Sequence, residues 1–131
     1  MAFDVSLVTP ERELWSGLAT MVVARGTEGE VGILSGHTPM LIELDISALF
    51  IDPEGGERIA AAVDGGFLHV VTVEGETRVD VLAEHAELAP DIDVEQARRD
   101  QEEAERRIRE HDDGAALAML ARAQVRIGLR A

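Results

Sequence analysis

The pattern of apolar residues changes at Ala89-Pro90, and this change constrains the fold more than any other feature of the sequence. Up to residue 88, short β-branched runs alternate with glycine-rich segments, which is typical of an antiparallel sheet. After residue 93, apolar side chains recur at spacings of three and four, which predicts helix. Pro90 disfavours both a strand interior and a helix immediately before it. We therefore predict a β domain over residues 1–88 and a helical domain over residues 89–131.

The first domain is predicted to be an antiparallel β-sandwich of about ten short strands. Its strand candidates are separated by glycine-rich turns at intervals of about ten residues, a spacing that indicates a sandwich or a barrel. Among the turns we place Asp64-Gly65-Gly66, because glycine supplies the positive φ that tight turns need. The strand candidates are residues 3–8, 21–23, 46–51, 59–63, 67–73 and 79–82.

The second domain is predicted to be an antiparallel hairpin of two helices. Asp91 or Asp93 can cap the first helix, and the segment 111–114 interrupts the helical pattern. We expect Gly114 to end the first helix and Asp113 to cap the second, over residues 115–130. The expected apolar stripes hold Val94, Ala97, Gln101, Ala104 and Ile108 on the first helix and Leu117, Leu120, Ala121 and Ile127 on the second.

The hairpin has few large apolar side chains, so alone it would bury little surface and be marginally stable. It needs the β domain, another protein or a ligand to pack against. Arginine recurs at every fourth position of its second helix, which places Arg122, Arg126 and Arg130 on one face. A solvated helix face is one interpretation of this stripe, because exposed ion pairs are individually weak.

Composition argues against several classes of function. The net charge of −14 disfavours binding to nucleic acid or to an anionic membrane surface. Most of this charge lies in residues 1–90, which carry four arginines against sixteen acids. No apolar run approaches the roughly 18 residues of a membrane span, and the first residues lack the pattern of a signal peptide. We therefore expect the chain to stay in the cytoplasm.

An enzyme is one alternative, but the sequence offers little for catalysis. It contains no cysteine and no Walker A motif, and its serines lack the setting of an activated nucleophile. A metal cluster of His69, His85, Glu87 and His111 is a further alternative, although scattered histidines are more often ordinary surface residues. We predict no catalytic residue and no metal site.

Four stretches resemble, in order and spacing, the epsilon subunit of bacterial F-type ATP synthase. They are ELWSG at 13–17, EGEVGIL at 28–34, GHTPML at 36–41 and DGGFL at 64–68. The resemblance implies a non-catalytic rotor subunit of the central stalk, whose β-sandwich binds the gamma subunit and the c-subunit ring. The complex makes ATP from ADP and phosphate with a proton gradient. We therefore expect a peripheral assembly on the cytoplasmic face of the cell membrane.

The resemblance also implies two sets of partner contacts. Glu30 and His37 match positions that face the polar loops of the c ring, and we expect their turns to form a polar surface at one end of the sandwich. The hairpin of such subunits can extend along the stalk and oppose ATP hydrolysis by the alpha–beta head. In that state Arg122, Arg126 and Arg130 would meet an acidic segment of a catalytic beta subunit. With the hairpin folded down, we expect these arginines to pair with Glu87, with first-helix carboxylates or with a nucleotide.

Candidates for the gamma contact are apolar residues that are hard to assign to the core. Trp15, Met40 and Leu41 belong to this group, although alternation alone does not identify the free face of the sandwich.

A degenerate nucleotide site is implied as well. Epsilon subunits that bind ATP open the first tail helix with Ile/Leu-Asp-x-x-Arg-Ala, and they add an upstream glutamate and two second-helix arginines. Here Gln96 replaces the motif arginine, and Glu103 stands where a further arginine is found. Losing each cation near phosphate costs roughly 1–3 kcal/mol, so we expect weak or absent ATP binding and no other cofactor. The matching residues are Glu87, Ile92, Asp93, Ala97, Arg122 and Arg126.

A generic interaction module, in which the hairpin docks onto an unrelated partner, is the second alternative function. Co-purification with the gamma subunit and the alpha–beta head distinguishes the two. The sequence leaves open whether the hairpin rests folded or extended and how strongly it restrains hydrolysis.

Overall fold

The computed structural model describes residues 1–111 and 113–130, and in them a set of seven strands precedes two helices. The predicted fold class is therefore confirmed. The strands are β1 Phe3–Val8, β2 Glu13–Gly26, β3 Gly29–Ile33, β4 Met40–Glu43, β5 Ile46–Pro53, β6 Ile59–Val73 and β7 Glu76–Leu88. After them come a 3-10 turn, Ala89–Asp91, and the helices α1 Val94–Glu110 and α2 Gly114–Arg130.

The strands form a hydrogen-bonded ladder that closes on itself. Pairing follows the order β1–β7–β6–β5–β2–β3, β4 joins β6, and β1 also pairs with β2. Among the described strands, every pairing is antiparallel except that of β1 with β7. Closure leaves little unpaired edge, which protects a small β domain from edge-to-edge association.

Long strands pass from one layer of the sandwich to the other. β6 pairs with β5 through Ile59 to Asp64 and with β4 through Phe67 to Val70. β2 pairs with β1 up to Ala19, and from Ala19 it pairs with β5, with a register shift before Met21. From Val22 it also pairs with β3. The predicted number of strands is wrong for this reason. The chain bends within long strands where the sequence favours separate short ones.

Gly65 and Gly66 form the bend in β6 at the position of the predicted turn. Their φ angles are +73° and +107°, and glycine adopts such angles at little cost. A Cβ atom on Gly66 would lie 2.2 Å from the carbonyl oxygen of Leu82 on β7. Pairing with β7 continues on both sides of the bend, so the strand changes layers without leaving the ladder. The prediction of a turn that separates two strands is therefore wrong.

Alternating side chains of both layers fill the core. On β5, Ser47, Leu49 and Ile51 point inward, whereas the residues between them are half-buried on the outer face. Burying a large aliphatic side chain contributes roughly 1.5–3 kcal/mol to folding, so these inward rows stabilise the sandwich. The largest fully buried side chains are Leu7, Val22, Ile33, Leu49, Ile51, Leu68, Val70, Val79 and Val81.

Aspartates cap both helices of the hairpin. Asp93 Oδ1 accepts a hydrogen bond from the Gln96 amide at 3.1 Å, and Asp113 Oδ1 accepts one from the Ala116 amide at 3.1 Å. Both caps confirm predictions. Gly114, however, is the first residue of α2 and does not end α1. Asp112, in the same segment, lies outside the described residues.

An ion pair closes the connection between the helices. Arg107 Nη2 lies 2.6 Å from Asp113 Oδ2. The Arg107 guanidinium, followed by the Ala116 amide, holds the pKa of Asp113 below its usual value. A charged side chain just before α2 thus binds the last turn of α1, and the conformational freedom of Gly114 is not needed to end the first helix.

The two helices meet along a seam of alanines. Ala97 and Ala104 of α1 and Ala116 and Ala123 of α2 are buried. Small residues allow helix axes to approach closely. The predicted stripe of α2 is partly wrong, because Leu117 is 53% exposed while its neighbour Ala116 is fully buried. The predicted stripe therefore included Leu117 in place of Ala116, whereas Leu120, Ala121 and Ile127 are partly buried.

The hairpin packs on the β-sandwich through α2. Its contacts are with β5, with β6 and with the 3-10 turn. The covered surface is the outer face of the layer that contains β5 and the first half of β6. Within residues 1–111 and 113–130, neither helix has the length and hydropathy needed to cross a membrane.

Candidate functional site

A cavity of about 440 Å³ lies between α2 and the β-sandwich, and we call it the hairpin cavity. Its walls are apolar where β5, β6 and α2 face one another, and charged side chains from four elements surround the apolar part. It is lined by Ile46, Ala62, Val63, Asp64, His85, Ala86, Glu87, Asp100, Met119, Arg122, Val125 and Arg126.

Two arginines of α2 bind carboxylates across this cavity. Arg122 Nε lies 2.5 Å from Asp64 Oδ2 at the end of the first half of β6. Arg126 forms an ion pair with Glu87 of β7, and its Nη1 lies 3.6 Å from Asp100 Oδ2 of α1. The expected pairing of the arginine stripe with Glu87 and with a first-helix carboxylate is confirmed for Arg126. The structure places Arg130 at the exposed end of α2.

The charges at the hairpin cavity do not favour an anion. Asp64, Glu87 and Asp100 outnumber Arg122 and Arg126, so the carboxylates and guanidinium groups that line the cavity sum to −1. Arg126 is the most enclosed of these charges, with 21% of its side chain exposed. Partial burial strengthens its ion pairs relative to pairs on an open surface.

The residues of the implied nucleotide motif are only partly brought together. Glu87, Arg122 and Arg126 line the hairpin cavity. By contrast, Ile92 is buried, Asp93 caps α1, and Ala97 lies in the alanine seam. Each of these three residues has a structural role that requires no ligand.

The two departures from the motif are also engaged with other residues. Gln96 Nε2 donates a hydrogen bond to Asp100 Oδ1 at 2.8 Å, and Arg99 Nη2 donates one to Gln96 Oε1 at 2.9 Å. Glu103 pairs with Arg106 at 2.6 Å, and this guanidinium lowers the pKa of Glu103. These positions take part in side-chain pairs along α1.

Asp64 and Asp100 were missed as site residues. A signal for Asp100 was present, because it stands three residues after Ala97 and four before Ala104, on the face that is buried. Asp64 had no comparable signal. Its position depends on the bend at Gly65-Gly66 and on the place where α2 docks, and no local pattern reports either feature.

Glu30 and His37 do not form one polar surface. Glu30 lies on β3 near the β2–β3 turn, whereas His37 follows the other end of that strand. The loop of His37 is tied to the β6–β7 end by a hydrogen bond from Thr72 Oγ1 to the His37 carbonyl at 2.8 Å. The predicted single surface is therefore wrong, because β3 carries the chain between the two turns.

A second concave surface surrounds Glu30. A groove of about 380 Å³ lies between the β2–β3 turn and β4, with apolar Val31, Met40 and Ile42 among its lining residues. Glu28, Glu30 and Glu43 give it a negative character.

The other layer of the sandwich contains β4 and the second half of β6, and its outer face exposes large apolar side chains. Leu41, Phe67 and Leu82 are 65%, 46% and 53% exposed. Phe67 and Leu82 are directly paired across β6 and β7. Of the candidates for a gamma contact, Leu41 lies on this face, whereas Trp15 and Met40 are partly buried against the core. In the described part of the chain, no three or more His, Asp or Glu side chains are placed to hold a metal ion.

Comparison with known proteins gives consistent matches. Residues 2–107 match the family model described as ATP synthase, Delta/Epsilon chain, beta-sandwich domain. The ATP synthase epsilon chain of Rhodococcus erythropolis is 53% identical over 95 residues, which are 72% of this chain and 75% of the relative. The epsilon chain of Thermobifida fusca is 46% identical over 126 residues, covering 94% and 88%. That of Brevibacillus brevis is 46% identical over 106 residues, covering 81% and 77%.

Two solved structures share the fold. A chain of the Euglena gracilis mitochondrial ATP synthase structure has a TM-score of 0.73 and 24% identity, covering 96% of this chain and 75% of that one. A chain from the central stalk and c-ring structure of the Tetrahymena thermophila mitochondrial ATP synthase has a TM-score of 0.62 and 13% identity, covering 100% and 98%.

Proposed function

Since this chain belongs to the epsilon chain family of ATP synthase, we propose that it turns with the central stalk and that its hairpin restrains ATP hydrolysis. It is a subunit of the synthase and is not itself catalytic. Its β-sandwich couples the proton-driven c ring to the catalytic head, and the complex operates at the cytoplasmic face of the cell membrane.

The two outer faces of the sandwich suit different contacts. The hairpin covers the layer of β5, so the exposed side chains Leu41, Phe67 and Leu82 of the other layer remain for the gamma subunit. Phe67 and Leu82 are neighbours across two strands, and adjoining exposed apolar side chains are typical of an interaction site. The acidic groove around Glu30 suits a cationic side chain of the c ring. His37 makes a separate contact with the c ring, from the loop beyond the other end of β3.

The proposed restraint of hydrolysis is supported by the limited contact between the hairpin and the β-sandwich. A seam of alanines holds its helices together, while α2 contacts the sandwich through one face and two arginine ion pairs. Such an interface is small and polar enough to open as a unit. Once open, Arg122 loses Asp64 and Arg126 loses Glu87, and together with Arg130 they become available to acidic side chains of the beta subunit.

Nucleotide has at most a weak role in this function. The proposed site would use Glu87, Arg122 and Arg126 at the hairpin cavity, but two extra carboxylates share that cavity. Both Gln96 and Glu103 stand where the motif needs cations. We expect weak or absent binding of ATP by the isolated chain, as the motif alone indicates.

The test uses the assembled complex with the full chain and with a chain that ends after residue 93. Without the hairpin, we expect ATP hydrolysis to rise several-fold while the gamma subunit and the c ring still co-purify with the shortened chain. Equal hydrolysis by the two complexes would reject the restraint. Failure of the full chain to co-purify with gamma and the alpha–beta head would favour the generic interaction module.

A further inference from the structure

We propose that Thr72 and Thr77 hold the loop of His37 in place, so that its ring meets the c ring through Nε2 as a hydrogen-bond acceptor. The inference rests on the proposed c-ring contact of His37 and deepens it. It concerns two positioning residues at the β6–β7 connection, which lie outside the nucleotide motif and do not line the hairpin cavity.

Thr72 and Thr77 face each other where β6 ends and β7 begins. They are directly paired in the ladder, and their hydroxyl oxygens lie 3.0 Å apart. The connection beyond them contains Glu74 and Gly75, whose φ angles of 53° and 82° are both positive, as in a type I′ turn. Thr77 is buried. Because a buried hydroxyl generally has hydrogen-bond partners, the partners of Thr77 indicate its role.

The two hydroxyls bind the backbone of the His37 loop. The Gly36 amide donates to Thr77 Oγ1 at 2.7 Å, and Thr72 Oγ1 donates to the His37 carbonyl at 2.8 Å. A carbonyl only accepts and each hydroxyl has one proton, so the bond between the threonines is donated by Thr77. Three hydrogen bonds therefore run in one direction, from Gly36 through both threonines to His37. Replacing either threonine by valine would leave a backbone group of the loop unpaired.

The loop is a tight turn that these hydrogen bonds fix to the β-sandwich. The His37 amide donates to the Leu34 carbonyl at 3.1 Å. Gly36, the third residue of the turn, has a φ of +83°, as a type II turn requires. The threonines bind the Gly36 amide and the His37 carbonyl, which are separate from the turn's own hydrogen bond. Together, the turn and the threonines fix the backbone that carries the His37 ring.

The His37 ring is oriented by the next residue in the chain. Its Nδ1 lies 2.7 Å from the carbonyl oxygen of Thr38. Since that oxygen only accepts, Nδ1 carries the proton, and Nε2 of the neutral ring has a free lone pair. Among the contacts of the described residues, none involves Nε2. The group of the c ring that fits this nitrogen is therefore an N–H donor, such as a side-chain amide or a guanidinium.

NMR of the isolated chain tests this arrangement without the c ring. Correlations between ring protons and ring nitrogens, assigned by comparison with His37→Ala, should show Nδ1 protonated in the neutral ring. Thr77→Val should speed exchange of the Gly36 amide at least about fivefold, because its acceptor is lost. Thr77→Ser keeps the hydroxyl and should restore slow exchange. Thr20→Val is the matched control, because the hydroxyl of Thr20 is exposed and bonds to Asp52.

Binding to the c ring tests the consequence. The chain is assembled on the gamma subunit, and its affinity for the detergent-solubilised c ring is measured. We expect His37→Ala, which removes the acceptor, to lower this affinity at least about fivefold. Thr77→Val, which displaces the acceptor, should have a similar effect, whereas Thr77→Ser and Thr20→Val should bind like the parent. Circular dichroism verifies that all variants keep the β-sandwich.

The outcomes distinguish this proposal from the proposed function. If His37→Ala keeps the parent's affinity, the c-ring contact is rejected and this proposal with it. If His37→Ala binds weakly but Thr77→Val binds like the parent, only the role of the threonines is overturned. A proton on Nε2 in place of Nδ1 in the neutral parent, or unchanged exchange of the Gly36 amide in Thr77→Val, also overturns the proposal.

Discussion

Individual side chains determine where the hairpin rests. Arg122 binds Asp64 at the end of the first half of β6, and Arg126 binds Glu87 on the adjacent strand. These two contacts orient α2 across the strands, because each joins a separate turn of the helix to a separate strand. Asp64 is in turn positioned by the glycine pair that follows it in the sequence. Gly65 and Gly66, which are far from the helices in the sequence, thus contribute to the geometry of helix docking.

Gly66 should be the least replaceable glycine of the sandwich. We expect Gly66→Ala to lower the free energy of unfolding by about 3 kcal/mol or more, because a Cβ would overlap the Leu82 carbonyl and φ is positive. Gly55→Ala is the matched control, since no atom lies within 4 Å of its added Cβ. Urea unfolding at equilibrium measures both. Equal stability of the two variants would contradict the assigned role of Gly66.

Secondary-structure elements were predictable to the extent that local patterns determine them. The alternation of β1 and the cap residues Asp93 and Asp113 follow from the sequence alone, and the structure has them. The unbroken path of β6 was not predictable, because two glycines indicate a turn unless a neighbouring strand continues to pair across them. One member of the α2 stripe was also misassigned, because close packing selects Ala116 over Leu117 for the seam.

Within the site, Glu87 and Arg126 were predictable as a pair, whereas Asp64 was not. The first two follow from the family motif and from the arginine spacing, and the structure joins them. Asp64 enters only through the tertiary packing of α2 on β6. Long-range docking of this kind leaves no periodic signal in a single sequence.

The alanine seam makes a sharp prediction about the hairpin. Ala116→Leu should destabilise it by about 1–3 kcal/mol, because the buried position has no room for three more carbon atoms. The adjacent Ala115→Leu places the same side chain on the exposed surface and should change stability by less than about 0.5 kcal/mol. Amide hydrogen exchange of α1 and α2 gives both values. Similar protection in the two variants would show that the helices do not meet along this seam.

The molecule as a whole presents two unlike outer faces. One layer of the sandwich lies under α2 and is crossed by arginine ion pairs, whereas the other exposes Phe67, Leu82 and Leu41. Opening of the hairpin, as proposed, would therefore leave the apolar face undisturbed. This separation suits the proposed function, in which the sandwich stays on the stalk while the hairpin moves.

Leu82→Ser should weaken binding to the immobilised gamma subunit at least about tenfold, because interface residues with large effects are buried on binding. Leu117→Ser is the control, since both leucines are 53% exposed but Leu117 lies on the hairpin. Both substitutions should leave the unfolding midpoint nearly unchanged, because neither side chain is in the core. Equal losses of gamma affinity would place the contact elsewhere.

The bend in β6 has a spectroscopic consequence. Asp64, which binds Arg122, and Phe67, on the opposite outer face, are only three residues apart along one strand. Isotope labels placed selectively at these two residues would give separate NMR resonances for the two outer faces of the subunit. A single sample could then show, within an intact complex, whether departure of the hairpin and attachment to the stalk occur independently.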